Sequence, residues 1–212
     1  MDMTKFAQMS CNPAMGGIAK GQIIREIDAV GGYSGIVTDR TMIQFRMLHL
    51  SKGPAMWSPR AQNDRIKFSI EWRNILEKIE NLDFFQDIVV SLILENDKVK
   101  GVVTGLGIEI FSTSVILTNG TFLNGLMHVG KSKVVGGRAS EPPAIGLSDQ
   151  LDQYGFLVGR MKTGTPARID GRSIDFSKMK EQGGDEKKQY FSFMHENIEL
   201  LKQKSCYITH TN

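Results

Sequence analysis

Residues 88–120, "IVVSLILENDKVKGVVTGLGIEIFSTSVILTNG", break into apolar runs of strand length, split by the polar turn "ENDK" and by Gly105 and Gly107. Such runs between turn signals predict a small antiparallel meander, followed by a buried strand from Val115 to Thr118 that ends on Asn119-Gly120. The pattern upstream is helical. Ile23, Ile24, Ile27 and Val30 share one helical face, Gly31-Gly32 supplies a stop, and a helix over 18–30 is predicted. Further on, "SPRAQNDRIKFSIEWRNILEKIE" places Ser58 and Pro59 before Phe68, Trp72, Ile75 and Ile79, which predicts a long helix from about 59 to 80. Helix followed by strands, after an opening glycine-rich turn, predicts an α/β domain with an antiparallel crossover.

Beyond this frame regular elements thin out. Between Lys131 and Arg172 glycines and prolines are dense, and ordered loops around one short helix at 144–154 are expected. "KMKEQGGDEKKQ" reads as a charged surface segment, and "SCYITHTN" begins a strand-like run. The chain has 212 residues, 41% hydrophobic and 23% charged, with a net charge of +3, and no apolar run approaches the roughly 20 residues needed to span a bilayer. The charge is too small to argue for nucleic acid by itself and does not exclude RNA. Two widely separated cysteines make neither a disulfide framework nor a metal-ligand cluster, and a reducing cytoplasmic setting follows.

"MSCNPAMGG", residues 9–17, is the first stretch that could carry chemistry. Gly16 and Gly17 suit either the close approach of a ligand or a tight turn packed on its own sheet. Cys11, just upstream of a helix start, is a nucleophile or redox partner on one reading and an inert buried thiol on the other. Arg65 either helps hold a phosphate or sits in the solvated first turn of the long helix. His49, His128, His195 and His210 lack triad or metal spacing and read as structural. Arg138, Arg160, Lys162, Arg168 and Arg172 lie in loops with seven Lys or Arg against four Asp or Glu over 131–172. Such loops fit a nucleic-acid backbone, a cofactor pyrophosphate or an ordinary surface.

Taken together, "MSCNPAMGGIAKGQ", "QFRMLHLSKGPAMWSPRAQNDR", "VILTNGTFLNGLMHVG", "GGRASEPPAIGLS" and "GRMKTGTPARIDGRSIDFS" resemble the GidA/MnmG family of tRNA-modifying flavoproteins. The resemblance implies a partial FAD-binding, Rossmann-like domain of the glutathione-reductase type over 1–160, and the start of an inserted nicotinamide-binding-like α/β domain over 161–212. It also implies that the piece lacks the family's first strand and G-x-G-x-x-G turn. The implied activity is FAD-dependent installation of a carboxymethylaminomethyl or aminomethyl group on carbon five of the wobble uridine of tRNA. NADH would be the reductant and methylene-tetrahydrofolate the one-carbon donor. The implied assembly is a cytoplasmic homodimer that works with the GTPase MnmE, without a membrane.

Carried over by residue, the resemblance makes Cys11 the functional cysteine beside the flavin, and Asn12, Pro13, Ala14, Gly16 and Gly17 its loop. Val89 matches a contact to the adenine side of FAD, and Thr118 and Gly120 a second flavin contact. Ala144 stands where some members have a flavin-contacting serine, while Cys206 does not match the family's second important cysteine. Two other classes stay open from the residues themselves: a non-catalytic RNA- or partner-binding module, and another flavoprotein with a small-molecule substrate.

Overall fold

A computed structural model describes residues 2–187, 189–194 and 198–210. In chain order the elements are β1 (Ala14–Gly16), α1 (Lys20–Ala29), α2 (Ser34–Thr41), β2 (Met42–Leu48), β3 (Ser58–Asn63), α3 (Arg65–Leu76), β4 (Val89–Glu95), β5 (Lys98–Thr104), β6 (Glu109–Phe111), β7 (Leu126–Val129), β8 (Ser132–Val135), α4 (Leu147–Gln153), β9 (Lys180–Gln182) and β10 (Cys206–Ile208). They fall into two compact units, Met1–Thr4 with Asp83–Thr163 and Lys5–Leu82 with Gly164–Asn212.

The larger unit is built on a three-stranded antiparallel sheet in the order β1-β3-β2. Its core joins Met42, Phe45 and Met47 of β2 to Ala61 of β3 and to Phe191, with Met15, Ile24 and Leu200 packed around them. The Phe45 and Phe191 rings meet edge to face at 6.4 Å, the geometry the aromatic quadrupole favours. The expected helix over 59–80 is thus corrected in its first turn: residues 58–63 are the central strand. Asp64 is the N-cap, its carboxylate accepting from the amides of Ile66 and Lys67 at 3.1 Å each. Pro59 is tolerated in that strand because its register partner lies in β2, opposite Met47, while pairing with β1 begins only at Arg60. Its carbonyl accepts from the Gly17 amide at 2.8 Å.

Helix α1 forms within the expected span, but of its expected apolar face only Ile24 packs on the core. Ile23, Ile27 and Val30 are exposed, whereas Gly21 and Asp28 are fully covered. The reason is a polar anchor. Asp28 accepts the Ser192 hydroxyl at 2.6 Å and the Phe193 amide at 2.8 Å, and Asp39 of α2 accepts the amides of Phe191 and Ser192 at 2.6 and 2.9 Å. Arg25 completes the anchor, donating to the carbonyls of Tyr190 and Phe191 and stacking on the Phe193 ring at 5.1 Å. Burial pulls its guanidinium below the usual arginine range, and the facing Asp39 and Asp28 carboxylates oppose that pull. The expected surface segment also contributes structure, since β9 pairs antiparallel with β10, where the strand-like run was expected.

The smaller unit contains the expected meander, antiparallel in the order β4-β5-β6. Its first turn is the two-residue loop Asn96-Asp97, with φ of +50° and +59°, the left-handed pair that hairpins demand. Asp87 closes the second, accepting from the amides of Ile88 at 2.7 Å and Leu106 at 3.0 Å. Helix α4 sits where a short helix is expected, and the Gln150 amide serves both backbone groups of Leu92, at 2.6 and 2.9 Å, in place of a neighbouring strand. The expected buried strand at 115–118 is overturned. No described residue pairs with it, and Ile116 is 85% exposed. Just inside the stretch expected to be loop, which begins at Lys131, β8 forms and pairs with β7 as a hairpin.

The amide bonds to Asp87, led by that of Leu106 and joined by the Thr104 hydroxyl, hold its carboxyl below the ordinary carboxylate range. A depressed folded-state value stabilises the turn at all pH above the unfolded carboxylate range and loses that contribution as pH falls through the folded value. Asp87→Asn is therefore expected to flatten the acid limb of the unfolding curve while leaving the alkaline limb unchanged. Identical acid limbs in chemical denaturation would refute this account.

Candidate functional site

The loop 9–17 is fixed from several sides within the larger unit. The Asn63 amide donates to the Pro13 carbonyl at 2.7 Å, the Ala14 amide to the Asn12 carbonyl at 2.7 Å, and β1 then pairs Ala14 with Gln62 and Gly16 with Arg60. Cys11 is a free, half-buried thiol that donates to the Gly164 carbonyl at 3.2 Å. Above it the carbonyls of Ser10 and Cys11 accept from both Arg65, at 3.0 and 3.3 Å, and Arg168, at 2.9 and 2.8 Å. Arg65 therefore does more than solvate a first helical turn.

The two glycines separate. A Cβ on Gly16, whose φ is +82°, would lie 2.2 Å from the Pro59 carbonyl oxygen and 2.8 Å from two carbons of the Phe191 ring. Packing on its own sheet accounts for that glycine. Gly17, at φ +98°, is buried, yet a Cβ there would meet nothing nearer than Arg60 Cδ at 3.9 Å. Only the second has room beside its α-carbon.

The other sequence-predicted positions belong to the smaller unit. Val89 opens β4, half-buried and opposite Thr104. Thr118 is exposed, and Gly120 has φ +56° with open space where a Cβ would stand. Ala144 uses its amide to reach Phe122 at 2.8 Å and its carbonyl to accept from Asn124 at 2.9 Å.

Most of the basic loop residues have internal partners. Arg138 makes a two-pronged ion pair with Glu141, at 2.6 and 2.8 Å, and stacks over Phe122 at 5.5 Å. Arg172 pairs with Asp170, and Arg160 donates to the Asn124 carbonyl at 3.2 Å. Lys162 is exposed. His128 is exposed on β7, opposite Lys133, and His210 is exposed as well. His49 is half-buried, and its Nδ1 has no hydrogen-bond partner among the described residues. His195 lies outside the described residues. Sequence reading missed the clasp on Cys11: Arg65 and Arg168 both stood out as basic residues, but no local pattern says that they share acceptors.

Among the described residues no His, Cys, Asp or Glu cluster could hold a metal, and no helix is long and apolar enough to cross a membrane. What fold and loop define together is part of a Rossmann-like α/β protein, with a clamped cysteine and an unobstructed glycine in one loop. The family model described as glucose inhibited division protein A matches residues 1–212, and the chain belongs to that family. It is 61% identical over 212 residues to the tRNA uridine 5-carboxymethylaminomethyl modification enzyme MnmG of Flavobacterium johnsoniae, and 65% identical over 211 residues to that of Karelsulcia muelleri. Each match covers 100% of this chain and 34% of the relative, so the chain spans about a third of the length of these relatives. Aquifex aeolicus GidA, in its form II crystal, superposes with a TM-score of 0.90 at 44% identity, over 97% of this chain and 35% of that one.

Proposed function

We propose that this chain supplies part of a flavin-dependent tRNA-modifying enzyme that builds a carboxymethylaminomethyl or aminomethyl group on carbon five of the wobble uridine. The observation that carries the reading is the clamped Cys11 thiol within a loop whose Gly17 has space where a side chain would stand. Membership of a family whose relatives bear the tRNA uridine modification name supports it. The residues leave room for a cofactor: Gly17 in the larger unit and Gly120 in the smaller have left-handed backbone with space where a Cβ would stand, and Val89 of the smaller unit offers a half-buried apolar side chain. Asn12, Pro13, Ala14 and Gly17 of the larger unit, and Val89, Thr118, Gly120 and Ala144 of the smaller, are the positions the family resemblance assigns to FAD; Gly16, which it also includes, is accounted for by packing. When bound, FAD supplies the redox chemistry, with NADH as reductant and methylene-tetrahydrofolate as one-carbon donor.

The protein's own part is positioning. The thiol of Cys11 would add to the uridine ring or relay a proton beside it, from a loop that cannot drift because its carbonyls and amides are tied down. On this reading residues 1–160 serve FAD and 161–212 open an inserted nicotinamide-binding-like domain. The whole protein would act in the cytoplasm as a homodimer with the GTPase MnmE.

The test is Cys11→Ser in the full-length protein. It should retain flavin and fold while losing most tRNA modification, whereas Cys206→Ser, whose thiol merely donates to Gln44 Oε1 at 3.3 Å, should be nearly silent. Modification at the wild-type rate by the Cys11 variant would end the proposal.

A further inference from the structure

Arg65 and Arg168 come from distant parts of the sequence, yet each delivers its Nη2 to the same pair of consecutive carbonyls, those of Ser10 and Cys11. Adjacent peptide carbonyls that converge on one point repel, because their oxygens carry partial negative charge. A cation between them reverses the sign of that interaction, and charge-assisted hydrogen bonds are the stronger kind. Arg65 is also oddly placed as a plain surface residue. It is the first residue of α3, the end of a helix where the macrodipole disfavours a cation. The Cys11 thiol in turn donates to Gly164, the start of the segment that ends on Arg168. One segment therefore holds both the thiol and the peptide that carries it.

We propose that Arg65 and Arg168 are positioning residues for Cys11: together they fix the Ser10–Cys11 backbone, and so the direction in which the thiol leaves the chain. The inference rests on the reading of Cys11 as the group that does chemistry. It also gives Arg168 a task other than contact with a tRNA phosphate.

The test uses Arg65→Met, Arg168→Met, the double variant and Arg168→Lys in the full-length protein, with three measurements on each. These are kcat and KM for tRNA, the salt dependence of tRNA binding, and the rate at which iodoacetamide alkylates Cys11, with Cys206 as internal reference. Each Met variant should lower kcat about tenfold or more with KM and the salt slope unchanged, the split expected of a lost positioning contact rather than lost binding. The double variant should cost no more than about threefold beyond the worse single one, since both arginines act on one peptide. Cys11 should alkylate several times faster, Cys206 at its original rate, and Arg168→Lys should recover most of the activity.

Weaker tRNA binding and a shallower salt slope with kcat intact would make these arginines phosphate contacts and overturn the inference. So would an unchanged Cys11 alkylation rate in both Met variants, whatever their activity. An active Cys11→Ser enzyme would instead strike the functional reading, and the alkylation comparison would still decide whether the arginines position the thiol.

Discussion

Asp39→Asn is expected to lower the stability of the larger unit by about 3 kcal/mol, the cost of leaving buried donors without their charged acceptor. Asp39 is fully buried and its two oxygens take the amides of Phe191 and Ser192. An asparagine keeps one acceptor but turns an NH2 toward an amide that can only donate, so at least one buried N–H loses its partner. The loss propagates. Those amides belong to the turn that inserts Phe191, 0% exposed, between Phe45 and the rest of the core. Phe191→Ala, which removes the ring itself, should cost about 3–5 kcal/mol on the same scale. Against a total stability of about 5–15 kcal/mol, either change is a large fraction. Urea denaturation of the two variants beside Asp170→Asn gives the comparison. Asp170 pairs with Arg172 on the surface, and that variant should move the midpoint little. Equal midpoints for Asp39→Asn and Asp170→Asn would dismiss the buried anchor as a source of stability.

This anchor also marks where sequence reading stopped. Periodicity located α1 and Ile24 but added Ile23 and Ile27 in place of Asp28, because apolar spacing is blind to a carboxylate satisfied by a turn far along the chain. Asp28 and Asp39 look like surface acids until residues 191–193 arrive. The strand β3 was hidden for a related reason. Ser58-Pro59 is a strong helix-start signal locally, and only pairing on both sides with β1 and β2 outweighs it. The meander was legible because its information is local: apolar runs of strand length and a left-handed Asn-Asp turn. At 115–118 the apolar run misled, since a strand exists only through its neighbours and no described residue pairs with this stretch. Half of the site followed the same division. The loop 9–17 was visible as glycines and a cysteine in one stretch, while the two guanidinium groups that clamp it depend on tertiary contacts.

Gly16→Ala should be among the most damaging single substitutions in the chain, on the order of 4 kcal/mol or more, since it combines an unfavourable backbone with a collision. At φ +82° an alanine is strained before any neighbour is considered. The added methyl would then stand 2.2 Å from the Pro59 carbonyl oxygen, an atom of the central strand that is already bonded to the Gly17 amide, and 2.8 Å from the Phe191 ring. Neither neighbour is the free end of a flexible side chain. Relief would require β1 to leave β3 or Phe191 to leave the core. Gly17→Ala carries comparable backbone strain at φ +98° but meets only Arg60 Cδ at 3.9 Å, so about 1–2 kcal/mol is expected there. Thermal unfolding of the two variants should therefore separate them widely, with Gly17→Ala folded and Gly16→Ala barely so. The folded Gly17 variant then reports on ligand approach alone: lower flavin content at nearly normal stability is the outcome expected if its open backbone faces the cofactor. A Gly16→Ala protein that melts with the wild type would return that glycine to the ligand and remove packing as the reason for it.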